Sequence, residues 1–184
     1  MLLPDLIGIT GYAQHGKDSL AQHLVDKYGY TRIGFADQLK ELALRVNPLV
    51  LDETTFRRLD EAVRTEGWES AKQVPEVRRV LQELGTGVRD VLGEDAWIEA
   101  LFRKLIPGGK FVVADVRFPN EAEELSAYGA MMIRVNRINT DGTPFDNGVG
   151  TDHPSEQYVP TLPVDLELTA MDLDQLYAVF EGAV

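Results

Sequence analysis

Short apolar segments alternate with segments of helical periodicity along most of this chain. The segments that we predict as strands are Leu6–Ile9, a short strand within Tyr28–Phe35, Phe111–Ala114, Met131–Val135 and Asp165–Leu168. Strands that alternate with helices are typical of a parallel sheet with helices packed on both faces. The pattern therefore predicts an α/β fold.

Between these strands, apolar residues recur at intervals of three and four, which is the period of an amphipathic helix. Helices are predicted after Lys17 and at Ala36–Leu44, Pro75–Leu84, Glu94–Leu105, Asn120–Tyr128 and Asp172–Phe180. We expect Gly85–Gly87 to end one helix and the polar stretch Asp52–Ser70 to form short helices. The stretch between the second and third strands is too long for one crossover, so we interpret it as an inserted helical subdomain.

A glycine loop follows the first predicted strand and precedes the first helix. Gly11 and Gly16 are separated by four residues and Lys17 comes next, which is the spacing of a phosphate-binding loop. The glycines permit tight turns, and N–H groups at the start of a helix bind anions. Lys17 would reach the β- and γ-phosphates. The hydroxyl residue that usually follows the lysine is replaced by Asp18, so Asp18 and the next residue, Ser19, are both candidate Mg²⁺ ligands.

Other charged residues lie near the carboxyl ends of the predicted strands. In an open parallel sheet, ligands bind beyond those ends. The Gly11 loop, the turn at Asp37, Asp115 and the loop at Arg137 all occupy such positions. We expect them to converge on one crevice.

Asp115 ends the third core strand, where an acidic residue of a nucleoside-triphosphate enzyme holds the metal shell or orients an attacking group. The alternative is a helix N-cap or a partner of Arg117. Arg117 would clamp a phosphate, or else pair with Glu121. We interpret Phe118 as a core residue, with stacking on a base as the alternative.

The predicted helical insertion carries polar residues at helical spacing, which suits a nucleoside monophosphate acceptor. These are Arg79, Gln82, Thr86 and Arg89. The alternative is a solvated helix face with salt bridges to neighbouring glutamates. Near the second strand, Asp37 is either an N-cap or an acceptor contact, and Lys40 either binds the acceptor phosphate or only solvates its helix.

The segment Asn136–Pro163 is rich in Gly, Pro, Asn and Asp and is predicted to be a long mobile loop. Arg134, Arg137 and His153 bracket it. A loop that carries an arginine can close over a transferring phosphoryl group. The alternative is an ordinary surface loop. His153 has no triad partner in the sequence pattern, so we do not interpret it as a base.

Composition narrows the class of protein. The chain has 184 residues, no cysteine and a net charge of −12, which excludes disulfides and thiolate sites and makes binding to a nucleic-acid polymer unfavourable. No apolar run approaches the ~20 residues of a membrane span. The N-terminus lacks the pattern of a signal peptide, so a cytoplasmic protein is expected.

Five stretches together resemble the deoxynucleoside monophosphate kinases of bacteriophages, a branch of the P-loop nucleoside monophosphate kinases. They are Gly16–Ser19, Phe35–Lys40, Leu81–Arg89, Asp115–Glu121 and Asp152–Glu156, in that order, and the resemblance runs from about Leu6 to Tyr177. It implies a three-layer P-loop fold with a five-stranded parallel sheet, a helical NMP-binding insertion and a lid loop. It also implies transfer of the ATP γ-phosphoryl group to a deoxynucleoside monophosphate (dNMP), with Mg²⁺.

The resemblance also implies roles for individual residues. ATP contacts are implied for Gly11, Ala13, Gln14, His15, Gly16, Lys17, Asp18, Ser19 and Leu20. The acceptor site is implied for Arg79, Gln82, Thr86, Arg89 and Trp97, with Asp37 and Lys40 nearby. Catalytic roles are implied for Lys17, Asp115, Arg117 and Arg137, and metal ligation for Asp18, Ser19 and Asp115. Some relatives carry basic residues inside the loop that help to hold the acceptor phosphate. Those positions are held here by Ala13, Gln14 and His15, of which His15 is expected to be a partial substitute.

On this basis the chain is one P-loop kinase domain. Its expected parts are a core (1–36, 107–136 and 164–184), a helical NMP-binding insertion (about 37–106) and a lid (about 137–163). Two alternatives stay open: a P-loop kinase for another small phosphorylated acceptor, and a nucleotide-binding switch that is not a kinase. The expected partners are ATP and a dNMP, with no nucleic-acid polymer and no membrane, and a homodimer is left open.

Overall fold

The predicted core strands form one parallel sheet in the computed structural model, which describes residues 3–52, 54–146 and 157–184. The strands, numbered in chain order, are β1 (Leu6–Thr10), β2 (Thr31–Ile33), β3 (Leu49–Asp52), β4 (Thr55–Arg58), β5 (Phe111–Val113), β6 (Met131–Arg137) and β7 (Leu166–Ala170). The five-stranded sheet has the order β2-β5-β1-β6-β7, and all its pairings are parallel. The predicted α/β fold with a five-stranded parallel sheet is confirmed.

β1 is the central strand of this sheet. Ile7 is in register with Val112 of β5 on one side and with Met131 of β6 on the other. The chain builds β2 and β5 on one side of β1 and then β6 and β7 on the other, so the strand order reverses at β1. A loop that leaves the carboxyl end of β1 therefore lies where parallel sheets bind ligands.

Helices follow most strands. They are α1 (Lys17–Tyr28), α2 (Phe35–Val46), α3 (Leu59–Ala71), α4 (Pro75–Leu92), α5 (Ala96–Phe102), α6 (Pro119–Ala127) and α7 (Leu173–Ala183), with a 3₁₀ turn at Val159–Thr161. Within the described ranges, none of these helices has the length and apolar character needed to cross a bilayer.

The described residues form two compact units. The first contains residues up to Gly34 and from Leu101 onward, and the second is Phe35–Ala100. In the first unit, Ile7 and Ile9 share a core with α1 and α7 residues such as Leu24 and Phe180. A β-carbon at Gly8 would instead meet Met132 and Leu125, so α6 covers the other face and the unit has three layers.

The second unit has its own small core. Each of α2, β3, α3 and α4 contributes one fully buried side chain, and these are Ala43, Val50, Leu59 and Val77. Val74, which precedes α4, completes this core. Trp68 and Leu81 are among the partly buried residues that pack against them.

The prediction of short helices over Asp52–Ser70 was wrong for its first part. β3 and β4 form an antiparallel pair in which Leu51 lies opposite Phe56. Four-residue strands offer too little alternation for a strand prediction, and cross-strand pairing is a contact that local periodicity does not report. The rest of the segment forms α3, which has non-helical dihedral angles at Gly67.

The predicted break at Gly85–Gly87 was also wrong, because α4 continues to Leu92. A β-carbon at Gly85 would lie 3.5 Å from Leu39 Cδ2, an ordinary van der Waals distance, so α2 packs against α4 at this position. The indole Nε1 of Trp97 donates to the Gly85 carbonyl oxygen at 3.0 Å. Such packing outweighs the penalty of about 1 kcal/mol for a glycine inside a helix. α4 ends instead at Gly93, whose φ is 109°.

Two further boundaries differ from the prediction. α5 is shorter than the predicted Glu94–Leu105 helix, and its last residue, Phe102, stacks on Tyr128 with ring centroids 5.0 Å apart. β6 extends to Arg137, which lies inside the predicted mobile loop. Near the end of that segment, Val159 and Leu162 are buried, and Arg134 donates to both of their carbonyl oxygens. The motif Asp152–Glu156, including His153, lies outside the described residues.

The carboxylate of Glu181 joins α7 to α1, which lies on the same face of the sheet. Glu181 of α7 accepts from Lys27 at 2.6 Å, from Tyr28 at 2.7 Å and from His23 at 2.8 Å, all on α1. The His23 ring also stacks on Tyr177 at 4.4 Å. These hydrogen bonds, that of Lys27 first, lower the pKa of Glu181 from 4.5 to about 2.

We expect Glu181→Gln to lower the free energy of unfolding at neutral pH. Because the pKa of Glu181 is lower in the folded chain, its contribution is fully present above about pH 4.5 and is lost as the pH falls towards about 2. The difference between wild type and variant should therefore shrink on acidification, as denaturant unfolding at pH 7, 5 and 3 would measure. Glu123→Gln, which changes an exposed glutamate of α6, is the matched control. A difference that stays constant with pH would contradict this account.

Candidate functional site

The loop between β1 and α1 has a backbone that requires its two glycines. Gly11 has φ 144°, and a β-carbon there would lie 2.5 Å from the Val135 carbonyl oxygen of β6. Gly16 has φ 99°, and its β-carbon would lie 3.1 Å from Leu176 Cδ2 of α7. At both glycines the loop approaches neighbouring elements so closely that a side chain would collide or be strained.

Lys17 is the first residue of α1 and is almost fully buried. Its Nζ donates to the Tyr12 carbonyl oxygen at 2.7 Å, across the loop. The loop therefore combines the positive end of a helix with a fixed ammonium group, which is the chemistry of a polyphosphate site. Gln14 also takes a left-handed conformation, with φ 64°.

A cavity of about 390 Å³ opens beside this loop. On one side it is lined by loop and α1 residues from Gln14 to Ser19, and on the other by Arg137 and by the segment Ala170–Leu173 with Leu176. The sequence interpretation missed the Ala170–Leu173 wall. The rule that ligands bind beyond strand ends would have found it, because this wall follows the last strand of the sheet.

His15 lies inside the loop and is 8% exposed. Its Nδ1 accepts a hydrogen bond of 3.0 Å from the backbone N–H of Arg137. Burial, and then the nearby charge of Lys17, lower the pKa of His15 below 6.5. The structure thus assigns His15 a contact with the end of β6, while the sequence interpretation assigned it a partial role towards the acceptor phosphate.

The two candidate metal ligands of the loop differ in their surroundings. The carboxylate of Asp18 forms a salt bridge with Arg32 of β2. Ser19 lines the cavity. Within the described ranges, no cluster of three or more His, Cys, Asp or Glu side chains could hold a metal ion. An ion here would need ligands from a bound phosphate and from water, as Mg²⁺ usually has.

Asp115 follows β5 and lies beside Gly34. A β-carbon at Gly34 would be 2.8 Å from Asp115 Oδ2, so the glycine gives the carboxylate room. The next turn is held by Glu121, which is 2% exposed. Glu121 Oε2 accepts from the backbone N–H groups of Arg117 at 2.9 Å and Phe118 at 3.1 Å. The sequence alternative paired Glu121 with the side chain of Arg117, but these two bonds go to backbone.

Arg137 stands at the end of β6 and lines the same cavity as Lys17. Its guanidinium lies 4.1 Å from the centre of the Phe145 ring. The structure therefore brings Lys17 and Arg137, two of the four predicted catalytic residues, to one cavity.

The predicted acceptor residues belong to the second unit, on α2, α4 and α5. Because α4 is continuous, Arg79, Gln82, Thr86 and Arg89 keep the spacing of one helix face. Gln82 and Thr86 are exposed. Arg89 is half-buried and donates to the Glu94 carbonyl oxygen at 3.3 Å.

Arg79 carries the salt bridges that the alternative interpretation predicted. Its guanidinium lies 2.6 Å from a carboxylate oxygen of Glu76 and 2.6 Å from one of Glu83, and these hydrogen bonds raise its pKa. A phosphate at this position would have to compete with two carboxylates.

The remaining acceptor candidates differ in exposure. Lys40 lies 5.9 Å from the centre of the Trp68 ring, and Asp37 is exposed in the first turn of α2. Trp97 is 7% exposed and bonds Gly85, so its indole packs α5 against α4.

Comparison with known proteins places these features in context. No protein-family model matches the chain. A protein of Acanthamoeba polyphaga mimivirus, named "Putative deoxynucleotide monophosphate kinase", is 30% identical to this chain, and the match covers 82% of this chain and 80% of that protein.

Solved structures that align with nearly the whole chain include two kinases. Shikimate kinase from Bacteroides thetaiotaomicron has a TM-score of 0.41 and 15% identity over 97% of this chain and 95% of its own. Dephospho-CoA kinase from Campylobacter jejuni has a TM-score of 0.40 and 14% identity over 97% and 96%. These TM-scores are low, and the fold is defined by the sheet topology of this chain itself.

We expect Gly11→Ala to destabilise the protein by several kcal/mol, because it adds a collision with the Val135 carbonyl to a strained φ. Gly29→Ala is the matched control, since Gly29 has φ 73° but nothing within 4 Å of its β-carbon. The control should cost only about 1 kcal/mol, the cost of the backbone strain alone. Chemical unfolding of both variants measures the comparison. Equal losses would show that the approach to β6 is unimportant.

Proposed function

This chain belongs to the deoxynucleotide monophosphate kinase family, and on that premise we propose that it transfers the γ-phosphoryl group of ATP to a dNMP, giving dNDP and ADP. The observation that carries the proposal is the glycine loop at the carboxyl end of the central strand. There Gly11 and Gly16 hold the backbone beside Lys17. This is the arrangement that binds the phosphates of a nucleoside triphosphate.

We assign the donor nucleotide to the cavity beside the loop. The triphosphate would lie against the loop N–H groups and the Lys17 ammonium, and Arg137 would neutralise charge on the transferring group. The opposite wall, Ala170–Leu173, combines apolar residues with the polar residue Asp172, which suits a base and a ribose. Burial is the first cause of the lowered pKa of His15, and the charges of Lys17 and then Arg137 lower it further, so two cations lie close to the loop.

Ser19, which lines the cavity, and Asp115 are the residues that would hold Mg²⁺, directly or through water. When bound, the ion would neutralise charge on the phosphates. Asp18 has a different partner in Arg32, so we assign it to fixing the start of α1.

The chemical step needs no nucleophile from the protein. An oxygen of the acceptor phosphate attacks the γ-phosphorus in line, and the bond to the β,γ-bridging oxygen breaks, so that ADP leaves. The acceptor phosphate is already an anion, so no strong general base is required. Lys17 and Arg137 contribute by positioning and by stabilising charge that is greater in the transition state.

We assign the acceptor to the second unit. Thr86 and Gln82 offer exposed hydrogen-bonding groups for a base edge, and Arg89 offers a charge for the phosphate. Arg79 would join them only by exchanging a carboxylate partner for the phosphate. Trp97 acts by packing against α4. In this proposal, the second unit corresponds to the NMP-binding insertion and the segment after Arg137 to the lid.

A substrate panel tests the proposed activity. The four dNMPs, the four ribonucleotides and small phosphorylated metabolites would be assayed with ATP and Mg²⁺ by coupled ADP release. We expect turnover with at least one dNMP, and none with Lys17→Ala, because that variant lacks the ammonium at the phosphates. Circular dichroism and thermal melting would check that Lys17→Ala remains folded. Turnover only with a non-nucleotide acceptor, or an active Lys17→Ala, would overturn the proposal.

We expect Arg137→Ala to lower kcat by a factor of about 10³, which is the scale of an arginine that stabilises charge in phosphoryl transfer. The KM for the acceptor should change much less, since the charge is needed mainly in the transition state. Arg64→Ala removes an exposed arginine of α3, 74% exposed, and should leave kcat unchanged. Steady-state kinetics would decide, and an Arg137→Ala variant with wild-type kcat would remove this residue from the mechanism.

A further inference from the structure

His15 is a buried histidine in the middle of the phosphate-binding loop, and its tautomer is fixed by its surroundings. A backbone N–H can only donate, so the bond from Arg137 N makes His15 Nδ1 an acceptor. The proton of the neutral ring must therefore be on Nε2.

The same ring belongs to a closed set of contacts with the end of β6. The backbone N–H of Phe145 donates to the Arg137 carbonyl oxygen at 3.0 Å, which closes the turn 137–145. The Phe145 ring contacts the His15 ring edge-on at 5.9 Å and lies under the Arg137 guanidinium at 4.1 Å. Tyr12 contacts the His15 ring at 5.3 Å. His15 thus touches the backbone of Arg137 and the aromatic ring on which the Arg137 side chain rests.

The charges around His15 favour this neutral form. Lys17 of α1 and Arg137 of β6 are the cations that lower its pKa, after burial. The backbone carbonyls of Phe145 and Val135 raise it, with less effect than burial and Lys17. Asp18 and Asp172 line the same cavity. If Nδ1 were also protonated, its N–H would face the backbone N–H of Arg137, and the ring would add a third positive charge to those of Lys17 and Arg137.

We propose that His15 is a positioning residue: its Nδ1 links the phosphate-binding loop to the end of β6, and so holds the Arg137 guanidinium, stacked on Phe145, at the rim of the phosphate cavity. The expected effect on kcat rests on the proposed phosphoryl transfer, whereas the hydrogen bond between His15 and Arg137 does not. It assigns His15 a role through Arg137 and not through contact with the acceptor.

Two substitutions of His15 distinguish the role of its Nδ1 hydrogen bond from a purely steric role of the ring. His15→Asn would place an amide oxygen near the position of Nδ1, whereas His15→Gln would place its polar atoms near the position of Nε2. We expect His15→Gln to lower kcat by about tenfold, the effect of one net hydrogen bond, and His15→Asn to lose clearly less. In the Arg137→Ala background, His15→Gln should have little further effect, because the residue that it positions is absent.

The matched control is the same pair of substitutions at His23, which lies on α1 and contacts Glu181. His23→Asn and His23→Gln should not differ from each other in kcat. Equal losses for His15→Asn and His15→Gln, or a loss from His15→Gln that is undiminished in the Arg137→Ala background, would overturn the proposal.

A spectroscopic measurement separates this inference from the proposed function. Nitrogen-15 NMR of the nucleotide-free wild type at pH 7.5 should show His15 with the proton on Nε2 and an unprotonated Nδ1, with His15→Gln identifying the signal. A proton on Nδ1 would refute the link even in an active kinase. If no dNMP is phosphorylated but the Nε2–H tautomer is found, the proposed function fails while the link stands, and the kinetic cycle is then run with whichever acceptor is turned over.

Discussion

The close approach of the β1–α1 loop to the carbonyl oxygen of Val135 is the constraint on which this site depends. Because the loop at Gly11 has no side chain, its backbone can lie against β6, the neighbour of the central strand. That approach brings Arg137, two residues further along β6, next to His15. The position of Arg137 at the site therefore depends both on the strand order and on the glycine at position 11.

Those parts of the fold that have strong local signals could be predicted from the sequence. β1, β5 and the first part of β6 are buried on both faces, so they appear as continuous apolar runs. The β3–β4 hairpin was missed because its stability comes from pairing between residues such as Leu51 and Phe56. The continuation of α4 was missed because Gly85 looks like a helix breaker, while the bond from the Trp97 indole to its carbonyl oxygen is a tertiary contact that the local sequence does not show.

In the candidate site, too, only the features with a local sequence signal could be predicted. The loop could be recognised because glycine spacing and a following helix are local features. The cavity wall at Ala170–Leu173 could not be recognised by residue type, since nothing in its side chains indicates a nucleotide. Nor could the sequence reveal that Asp18 pairs with Arg32 or that His15 bonds the backbone of Arg137, because these contacts depend on how β2 and β6 sit beside the loop.

The buried carboxylate of Glu121 holds the turn after Asp115 through backbone groups and not through the side chain at position 117. It binds the backbone N–H groups of residues 117 and 118, so the path of the chain after Asp115 is encoded one helical turn away. The side chain at position 117 can therefore be exchanged without loss of these two bonds. These two bonds of the turn and the chemistry at position 117 are thus encoded by different residues.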